Sequence, residues 1–368
     1  MKKRILQVVL GILLVLLLAI AGFGVLYAGR LHTVNSIEQL TNYDDYNLYR
    51  MDIRYDYSID DVVNYGITDN QSMINAILKE ALPLLPVKMK APQFGCSAFG
   101  TVLDRHIVMG RNYDFKRDTS AMLVYCAPKN GYKSVALTAL DNISANEPDA
   151  NLKKKLACLT APFICLDGMN EKGVSIAVLT LDSEPVNQDT GKQKIFTTLA
   201  IRLVLDRAAT TQEAVDLLDS YDMFATSGRD YHFFVVDASG DGRVLEYDPE
   251  QEGRPLRWTA MPAITNFYGC YTYLVKPNQR NGIYGHGKER YDAIMDVLAI
   301  RDPDGNIPAD TAWRALQASA QDPNPVDVTS NTQWSLVYDD TALTAQIALR
   351  RHWDDVLYYD LNTNTIGG

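Results

Sequence analysis

The sequence predicts an α+β fold in which two packed antiparallel sheets carry helices on their outer faces, preceded by one transmembrane helix. Three observations support this prediction. The chain opens on a long apolar run, strand-like patterns occur both before and after a central group of amphipathic helices, and a hairpin pattern closes the chain. Elements with one apolar face must cover that face, and packed layers are the usual solution.

Residues 1–30 form the first predicted element, a signal anchor. The basic run of residues 2–4 precedes an almost uninterrupted apolar run over residues 5–27, which is long enough to span a bilayer. Arg30 alone follows the run, so the positive-inside rule predicts a cytoplasmic N-terminus and an extracytoplasmic remainder. Residues 26–29 make a poor cleavage site. A cleaved signal peptide, which would release a secreted protein, is the alternative.

Residues 31–95 are predicted to form a packed segment. Residues 43–57 are dense in Tyr and Asp, and Gln71 to Leu82 shows the apolar spacing of an amphipathic helix. Three prolines then follow, which predicts extended backbone up to Cys96. They are Pro83, Pro86 and Pro92.

The most informative pattern is a predicted hairpin around Cys96. Phe94 to Gly100 and the run from Ile107 to Asp114 read as two strands joined at Asp104 and Arg105. Such a hairpin brings Arg111 and Asp114 beside Cys96, and a nucleophilic thiolate needs a base and a positive neighbour. The alternative is that Cys96 is a small buried hydrophobe, as free cysteines often are.

The later elements alternate between strands and helices. Residues 174–179 and 232–237 read as strands, and a Gly-rich turn follows the second one. Helical spacing covers Thr197 to Arg207, Gln212 to Leu218 and Tyr284 to Ile300, with Thr211 as a candidate cap of the second helix.

Composition excludes several classes of function. The formal net charge of -10 argues against a nucleic-acid partner. The chain contains no Cys-x-x-Cys, His-Glu-x-x-His or Gly-rich phosphate loop, so we predict no metal and no cofactor. The 5 cysteines are an odd number, and Cys158 and Cys165 are candidates for a disulfide that spacing alone does not establish.

Several segments, in the same order, resemble the choloylglycine hydrolase family. This family holds the bile salt hydrolases and penicillin V acylases, with acid ceramidase and isopenicillin N acyltransferase as relatives. The resemblance runs from Cys96 to about Leu361. It is carried by Cys96-Ser97, Gly110-Arg111-Asn112-Tyr113-Asp114, Asp167-Gly168-Met169-Asn170-Glu171-Lys172-Gly173-Val174, Ile264-Thr265-Asn266, Glu289-Arg290-Tyr291 and Thr332-Gln333-Trp334-Ser335-Leu336-Val337-Tyr338-Asp339.

The resemblance implies a four-layer αββα N-terminal-nucleophile hydrolase sandwich over residues 96–368. In such enzymes the nucleophile is the first residue of the mature chain, which requires cleavage of the bond between Gly95 and Cys96. Residues 31–95 would then be a pro-segment or a small subunit, and the sequence does not separate these two.

The resemblance also implies roles for five catalytic residues and one pocket residue. Cys96 would be the nucleophile and Asp114 would hold its α-amine, with Arg111 beside the sulfur. Asn266 would donate to the oxyanion and Arg290 would complete the polar network. The alternatives are that Arg290 is a solvated helix charge and that Asn266 is a backbone-capping residue.

Two departures from the family pattern bear on specificity and assembly. Thr180 stands where bile salt hydrolases carry Asn, which places bile salt specificity in doubt, although its main-chain N–H can still donate to an oxyanion. The interval between Asn266 and Arg290 is also shorter than in the tetrameric bile salt hydrolases, which use a longer excursion there for assembly. We therefore do not expect that tetramer.

The sequence thus predicts an enzyme that hydrolyses a linear, non-peptide amide with an apolar acyl group through a Cys acyl-enzyme. Conjugated bile acids, phenoxyacetyl penicillins, N-acyl amino acids and acylated homoserine lactones are candidate substrates. The alternatives are an acyltransferase on the same scaffold, a papain-like cell-wall peptidase with His232 or His286 as base, and a non-catalytic membrane-anchored binding protein.

Overall fold

The computed structural model describes residues 2–85, 95–280, 282–326 and 330–367. Within them the helices are α1 (Lys2–Asn35), α2 (Ile59–Asn64), α3 (Asn70–Ala81), α4 (Leu152–Ala157), α5 (Thr197–Arg207), α6 (Thr211–Asp219), α7 (Lys288–Leu298) and α8 (Thr311–Ser319). The strands are β1 (Glu38–Gln39), β2 (Leu48–Asp52), β3 (Gly95–Leu103), β4 (His106–Asp114), β5 (Ala121–Cys126), β6 (Ser134–Ala139), β7 (Asp167–Asn170), β8 (Val174–Leu181), β9 (Lys194–Phe196), β10 (Asp222–Phe224), β11 (Asp230–Asp237), β12 (Gly242–Tyr247), β13 (Leu256–Ala260), β14 (Ala263–Ile264), β15 (Thr332–Asp339), β16 (Thr344–Leu349), β17 (Leu357–Asp360) and β18 (Thr365–Gly367).

Two large sheets form the centre of the molecule. The first has 9 strands in the order β1-β2-β5-β6-β7-β8-β11-β12-β13, and the second has 7 strands in the order β14-β3-β4-β15-β16-β17-β18. Strands β3 and β4 of the second sheet pack against β8 and β11 of the first. Every residue of β8 and of β11 is buried, as expected for strands covered on both faces.

Helices cover the outer face of each sheet. Helix α5 packs on β7 and β8, and α6 packs on β11, β12 and β13. On the other side, α7 and α8 pack on β3, and α8 also covers β4 and β15. The order of layers is therefore helix, sheet, sheet, helix, which confirms the predicted αββα sandwich.

Helix α1 has two parts that differ in their surroundings. Its apolar run is long enough to cross a membrane, and the side chains from Val9 to Leu26 are exposed. The last turns are part of the folded body, since Tyr27, Arg30 and Val34 are buried. A helix of this kind near the N-terminus is suited to be either an anchor or a signal sequence.

Residues 31–85 are built into the same body. Strand β2 pairs in parallel with β5, with Leu48 opposite Ala121, and so extends the nine-stranded sheet. Helix α3 begins with a capping box at Asp69 and Ser72. Its bounds confirm the helix predicted over residues 71–82.

Other predicted elements are confirmed with small corrections. Helix α5 matches its prediction, but the cap of α6 is Thr210, because its side chain accepts from the N–H of Glu213, whereas Thr211 is already helical. Helix α7 begins at Lys288, four residues later than predicted. Gly285 and Gly287 have φ values of 105° and 83°, which a right-handed helix cannot contain.

Candidate active site

The hairpin of β3 and β4 builds the centre of the site. Its two-residue turn consists of Asp104 and Arg105, both with positive φ (44° and 68°), the geometry that matches the twist of paired strands. The resulting register places Cys96 opposite Tyr113 and Gly95 opposite Asp114. The predicted turn is confirmed, and it is the reason that residues 15 to 18 positions apart share one site.

Cys96 is completely buried in the uncut chain, with no exposed surface. The Nη2 of Arg111 donates to its Sγ at 2.7 Å. Burial raises the pKa of the Cys96 thiol to about 11, although Arg111 and the main-chain N–H of Asp114 favour the thiolate. At neutral pH the uncut chain therefore holds a thiol, and a base is needed to make it a nucleophile.

Arg111 is held rigidly by groups from the opposite sheet. It donates to the carboxylate of Asp167, to the carbonyl of Leu166 at 3.0 Å and to the carbonyl of Val178 at 3.1 Å. Asp167 is itself fixed by Trp334 Nε1 at 3.2 Å and by the hydroxyl of Tyr338 at 2.7 Å. The guanidinium beside the sulfur therefore has a fixed orientation and a buried counter-charge.

Asp114 and Arg290 form the second half of the site. Arg290, from the first turn of α7, donates to Asp114 Oδ2 at 3.3 Å and to the carbonyl of Cys96 at 3.3 Å. It is only 8% exposed, so it is not a solvated helix charge. Burial raises the pKa of Asp114 above its usual value, although Arg290 and hydrogen bonds from Thr332 and Gln321 favour the carboxylate.

Asn266 is oriented by hydrogen bonds at both ends of its side-chain amide. Its Oδ1 accepts from Arg290 Nη2 at 2.6 Å, and its Nδ2 donates to the carbonyl of Thr180 at 2.8 Å. Alternate residues of a strand turn their main-chain groups toward the same edge, which agrees with the carbonyls of Val178 and Thr180 accepting from Arg111 and Asn266. The N–H of Thr180 therefore lies on the same edge as the amide of Asn266.

All six residues of the predicted site are thus brought together by the fold. They are Cys96, Arg111, Asp114, Thr180, Asn266 and Arg290. Three further polar residues that complete the site were not assigned a role from the sequence, namely Asp167, Gln321 and Thr332. Asp167 and Thr332 lie inside two of the matching motifs, which is a signal that could have found them.

The two histidines proposed as bases of a papain-like peptidase bind other groups. The Nε2 of His232 lies 3.0 Å from the carbonyl of Thr265, and its Nδ1 lies 3.6 Å from the carboxylate of Glu246. The Nδ1 of His286 lies 2.6 Å from Asp182. The sulfur of Cys96 is instead held by Arg111, which gives the Cys–His interpretation no structural support.

All five cysteines are free thiols, and Cys158 and Cys165 do not form the disulfide that their spacing allowed. Their sulfurs each donate to a carbonyl one helical turn back, that of Lys154 for Cys158 and that of Ala161 for Cys165. Among the described residues, no group of three or more acidic, His or Cys side chains is arranged to hold a metal ion.

Comparison with known proteins agrees with this geometry. Residues 96–252 match the model of a family described as linear amide C-N hydrolases, choloylglycine hydrolase family. This part of the chain therefore resembles the choloylglycine hydrolase family. The match begins at Cys96 itself, and it makes the chain an enzyme of the linear amide C-N hydrolase class. No curated protein matches the sequence.

Solved structures of a conjugated bile acid hydrolase and of a penicillin V acylase share the fold. Two variants of the conjugated bile acid hydrolase from Clostridium perfringens are each 15% identical with a TM-score of 0.54, and the match covers 74% of this chain and 95% or 96% of theirs. Penicillin V acylase from Agrobacterium tumefaciens is 18% identical with a TM-score of 0.52, and the match covers 73% of this chain and 86% of that one. At these identities the likeness establishes the fold.

Proposed function

We propose that this protein hydrolyses a linear, non-peptide amide with an apolar acyl group, through an acyl-enzyme on Cys96. The observation that carries the proposal is the fixed position of Arg111 Nη2, 2.7 Å from the Cys96 sulfur, in a segment that matches linear amide C-N hydrolases. A guanidinium at this distance stabilises a thiolate as it forms.

The reaction begins with processing of the chain. The bond between Gly95 and Cys96 is cut, and Cys96 gains a free α-amine that titrates near pH ~7.7–8.0. Before the cut, its nitrogen is an amide and accepts no proton at neutral pH. Because the pKa of its buried thiol is raised to about 11 and no free amine is there to take the proton, the uncut chain does not hydrolyse a separate amide, and its Cys96 thiol attacks only the adjacent carbonyl of Gly95.

After processing, the α-amine of Cys96 takes the proton of its own thiol. The thiolate attacks the carbonyl carbon of the amide, and the negative oxygen is stabilised by the second N–H of the Asn266 amide and by the N–H of Thr180. The α-ammonium protonates the leaving amine, and the thioester remains. Water then attacks the thioester, its proton passes to the α-amine and back to the sulfur, and the acid is released.

The residues before the nucleophile would remain as a small, membrane-anchored subunit. Pairing of β2 with β5 and the burial of Tyr27, Arg30, Thr33 and Val34 favour retention over loss of residues 1–95. The hydroxyl of Tyr27 donates a hydrogen bond to the carbonyl of Pro83, which connects α1 to the end of α3. The predicted extended backbone at Pro86 and Pro92 lies outside the described residues. An exposed apolar helix from Val9 onward supports the anchor, with the catalytic part on the extracytoplasmic side.

N-terminal sequencing of the purified protein tests the processing step. The wild type should run as two pieces on a denaturing gel, the larger beginning Cys96-Ser97-Ala98, and Cys96→Ala should run as one. An intact wild type with full activity would contradict the N-terminal-nucleophile mechanism and return the Cys–His peptidase to consideration.

Hydrolysis itself is tested with a panel of amides. The panel contains a conjugated bile acid, phenoxymethylpenicillin, an N-acyl amino acid and an N-acyl homoserine lactone, each also offered with hydroxylamine to detect acyl transfer. Cys96→Ala should abolish all turnover while the fold remains, and full activity in that variant would exclude Cys96 as nucleophile. No turnover, together with a Cys96 that does not react with iodoacetamide, would favour a non-catalytic binding protein.

A further inference from the structure

The carboxylate of Asp114 is held by two residues that lie far from it in the sequence. The hydroxyl of Thr332 donates to Oδ1 at 2.7 Å, and the Nε2 of Gln321 donates to Oδ2 at 2.8 Å. Arg290 reaches the same Oδ2 at the longer distance of 3.3 Å. Both oxygens of a fully buried carboxylate are therefore held by neutral donors, in addition to the arginine.

Gln321 and Thr332 also bind each other, and we call this pair the clamp. The N–H of Gln321 donates to the hydroxyl of Thr332 at 2.8 Å, and the N–H of Thr332 donates to the carbonyl of Gln321 at 2.9 Å. Because a hydroxyl has a single proton, its acceptance from Gln321 leaves that proton directed at Asp114. The geometry thus fixes the direction of donation.

A third residue, Arg351, makes hydrogen bonds to both residues of the clamp. Arg351, in the turn after β16, donates from Nη1 to the carbonyl of Gln321 at 3.0 Å and to the carbonyl of Thr332 at 3.1 Å. Gln321 lies two residues after the end of α8 and Thr332 begins β15, so the clamp joins the helix layer to the sheet. The two clamp residues hold one geometry because the main chain of each makes at least two hydrogen bonds.

The carboxylate of Asp114 has one acceptor site that the side chains of the described residues do not fill. An ionised carboxylate offers about four acceptor sites. Among the described residues, side chains of Thr332, Gln321 and Arg290 fill three of them. Asp114 is paired with Gly95 across the hairpin, and Arg290 Nη1 binds both the Asp114 carboxylate and the Cys96 carbonyl, so this carboxylate lies close to the main chain of Cys96.

We propose that Gln321 and Thr332 are positioning residues that hold both oxygens of Asp114 and leave one acceptor site for the α-amino group of Cys96. This inference rests on the proposed function, in which that amine takes the thiol proton. As the ammonium forms, it donates to the open site, and the carboxylate stabilises its charge. When the leaving amine takes the proton, the neutral α-amine stays in place and its lone pair remains directed at the sulfur.

The clamp should determine the acid limb of the pH dependence of kcat. Asp114 faces Arg290 from α7, Arg111 from its own strand and Cys96 from β3. Burial favours the neutral acid, and the two clamp bonds act against it. Without them Asp114 takes up a proton at higher pH, and a neutral acid stabilises an ammonium poorly.

The test uses Thr332→Val and Gln321→Met, which keep volume and remove the donors. With whichever panel amide is turned over, each processed variant should lose about tenfold or more in kcat with KM nearly unchanged, since a hydrogen bond to a charged group is worth about that much. The acid limb of kcat should move to higher pH. Thr332→Ser should restore both kcat and the position of its acid limb. Thr198→Val, which removes a buried hydroxyl in α5, should change neither.

If no panel amide is hydrolysed, the rate at which iodoacetamide alkylates Cys96 replaces kcat. Mass spectrometry of the peptide that begins with Cys96 follows this rate against pH, and its acid limb should shift in the same direction. Should Thr332→Val fail to fold, Gln321→Met carries the test, because its side chain is only half-buried.

Wild-type kcat and an unmoved acid limb in both clamp variants would overturn the inference. So would a loss of activity with an unmoved acid limb, or a Thr332→Ser variant as impaired as Thr332→Val, since both indicate a structural role alone. These results leave the proposed function standing if Cys96→Ala and Asp114→Asn are inactive. Full activity in Cys96→Ala would instead contradict the proposed function itself.

Discussion

At the scale of single residues, the site depends on charges that the fold has removed from water. Arg111 and Asp167 are both completely buried and paired with each other, and Arg111 also binds the nucleophile. Such a pair contributes little when intact, but removal of one partner leaves an uncompensated buried charge. Asp167 therefore matters for stability as well as for the orientation of the guanidinium.

The Asp167→Asn variant should unfold much more easily than the wild type. We expect a loss of about 3–5 kcal/mol in the free energy of unfolding, because Arg111 keeps its charge and loses its counter-ion. Guanidinium unfolding of the detergent-solubilised protein measures this loss. Asp60→Asn, which breaks an exposed pair with Arg207, is the control and should change stability little. Equal stability of the two variants would contradict the assignment.

Asp340 offers a prediction about pH and stability. It is 1% exposed, its Oδ2 accepts from Ser175, and its Oδ1 has no partner in the described part of the chain. Burial, with added repulsion from Asp339 and Asp237, raises the pKa of Asp340 well above its usual value. A raised folded-state pKa stabilises the protein at low pH, and that contribution is lost as pH rises through the folded-state value.

The wild type should therefore gain stability relative to Asp340→Asn as pH is lowered from 8 to 5. The asparagine cannot titrate, so it removes this part of the pH dependence. Thermal unfolding of both proteins across this range checks the prediction. A difference in melting temperature that stays constant with pH would show that Asp340 keeps an ordinary pKa in the folded state.

At the scale of elements, strand β2 connects the segment before the nucleophile to the catalytic sheet. Its residues Leu48 and Met51 are completely buried, and its main chain pairs with β5. Parallel pairing between segments that flank the cut is suited to hold two chains together after processing. The pairing of β2 with β5 is thus a specific contact between the predicted packed segment, residues 31–95, and the catalytic part of the chain.

Met51→Lys should release the small fragment from the processed protein. Burial of a lysine without a partner costs several kcal/mol of free energy, and this cost weakens the contact between β2 and β5. Co-purification through a tag on the larger piece measures retention of residues 1–95. Glu38→Lys, an exposed change in neighbouring β1, should leave retention unchanged. Retention of the fragment in Met51→Lys would indicate that other contacts suffice.

At the scale of the whole molecule, α1 serves the folded body as well as any membrane. Arg30 donates to the carbonyls of Ala81 at 2.7 Å and of Glu80 at 2.6 Å, and so satisfies the end of α3. Its guanidinium also lies 4.8 Å from the ring centre of Tyr55. The body therefore begins within one helical turn of the exposed apolar run, with no linker between them.

Two truncations should separate these roles of α1. A chain that begins at Tyr27 should be soluble and should keep the melting temperature of the full chain. A chain that begins at Ile37 loses both bonds of Arg30, at about 1.5–3 kcal/mol each, and should melt about 5–10 °C lower. Differential scanning fluorimetry compares the two. Identical melting temperatures would show that residues 27–36 add nothing to the fold.

The sequence alone determined the hairpin around Cys96, because the turn at Asp104 and Arg105 and the spacing of Cys96, Arg111 and Asp114 act over short distances along the chain. The αββα architecture and the class of enzyme came from the resemblance of the ordered motifs to a known family, since the apolar pattern by itself is only compatible with that fold. The ordered motifs added Asn266 and Arg290 because each occupies a recognisable local pattern.

Only the tertiary structure decided which distant groups hold the site. Asp167 reaches Arg111 because two sheets stack face to face, and Gln321 reaches Asp114 because the end of α8 lies over β4. The place of β2 beside β5 is likewise a pairing between segments separated by many residues. Such contacts leave no periodic trace in the sequence, because any buried polar partner of the right length satisfies the same hydrogen bond.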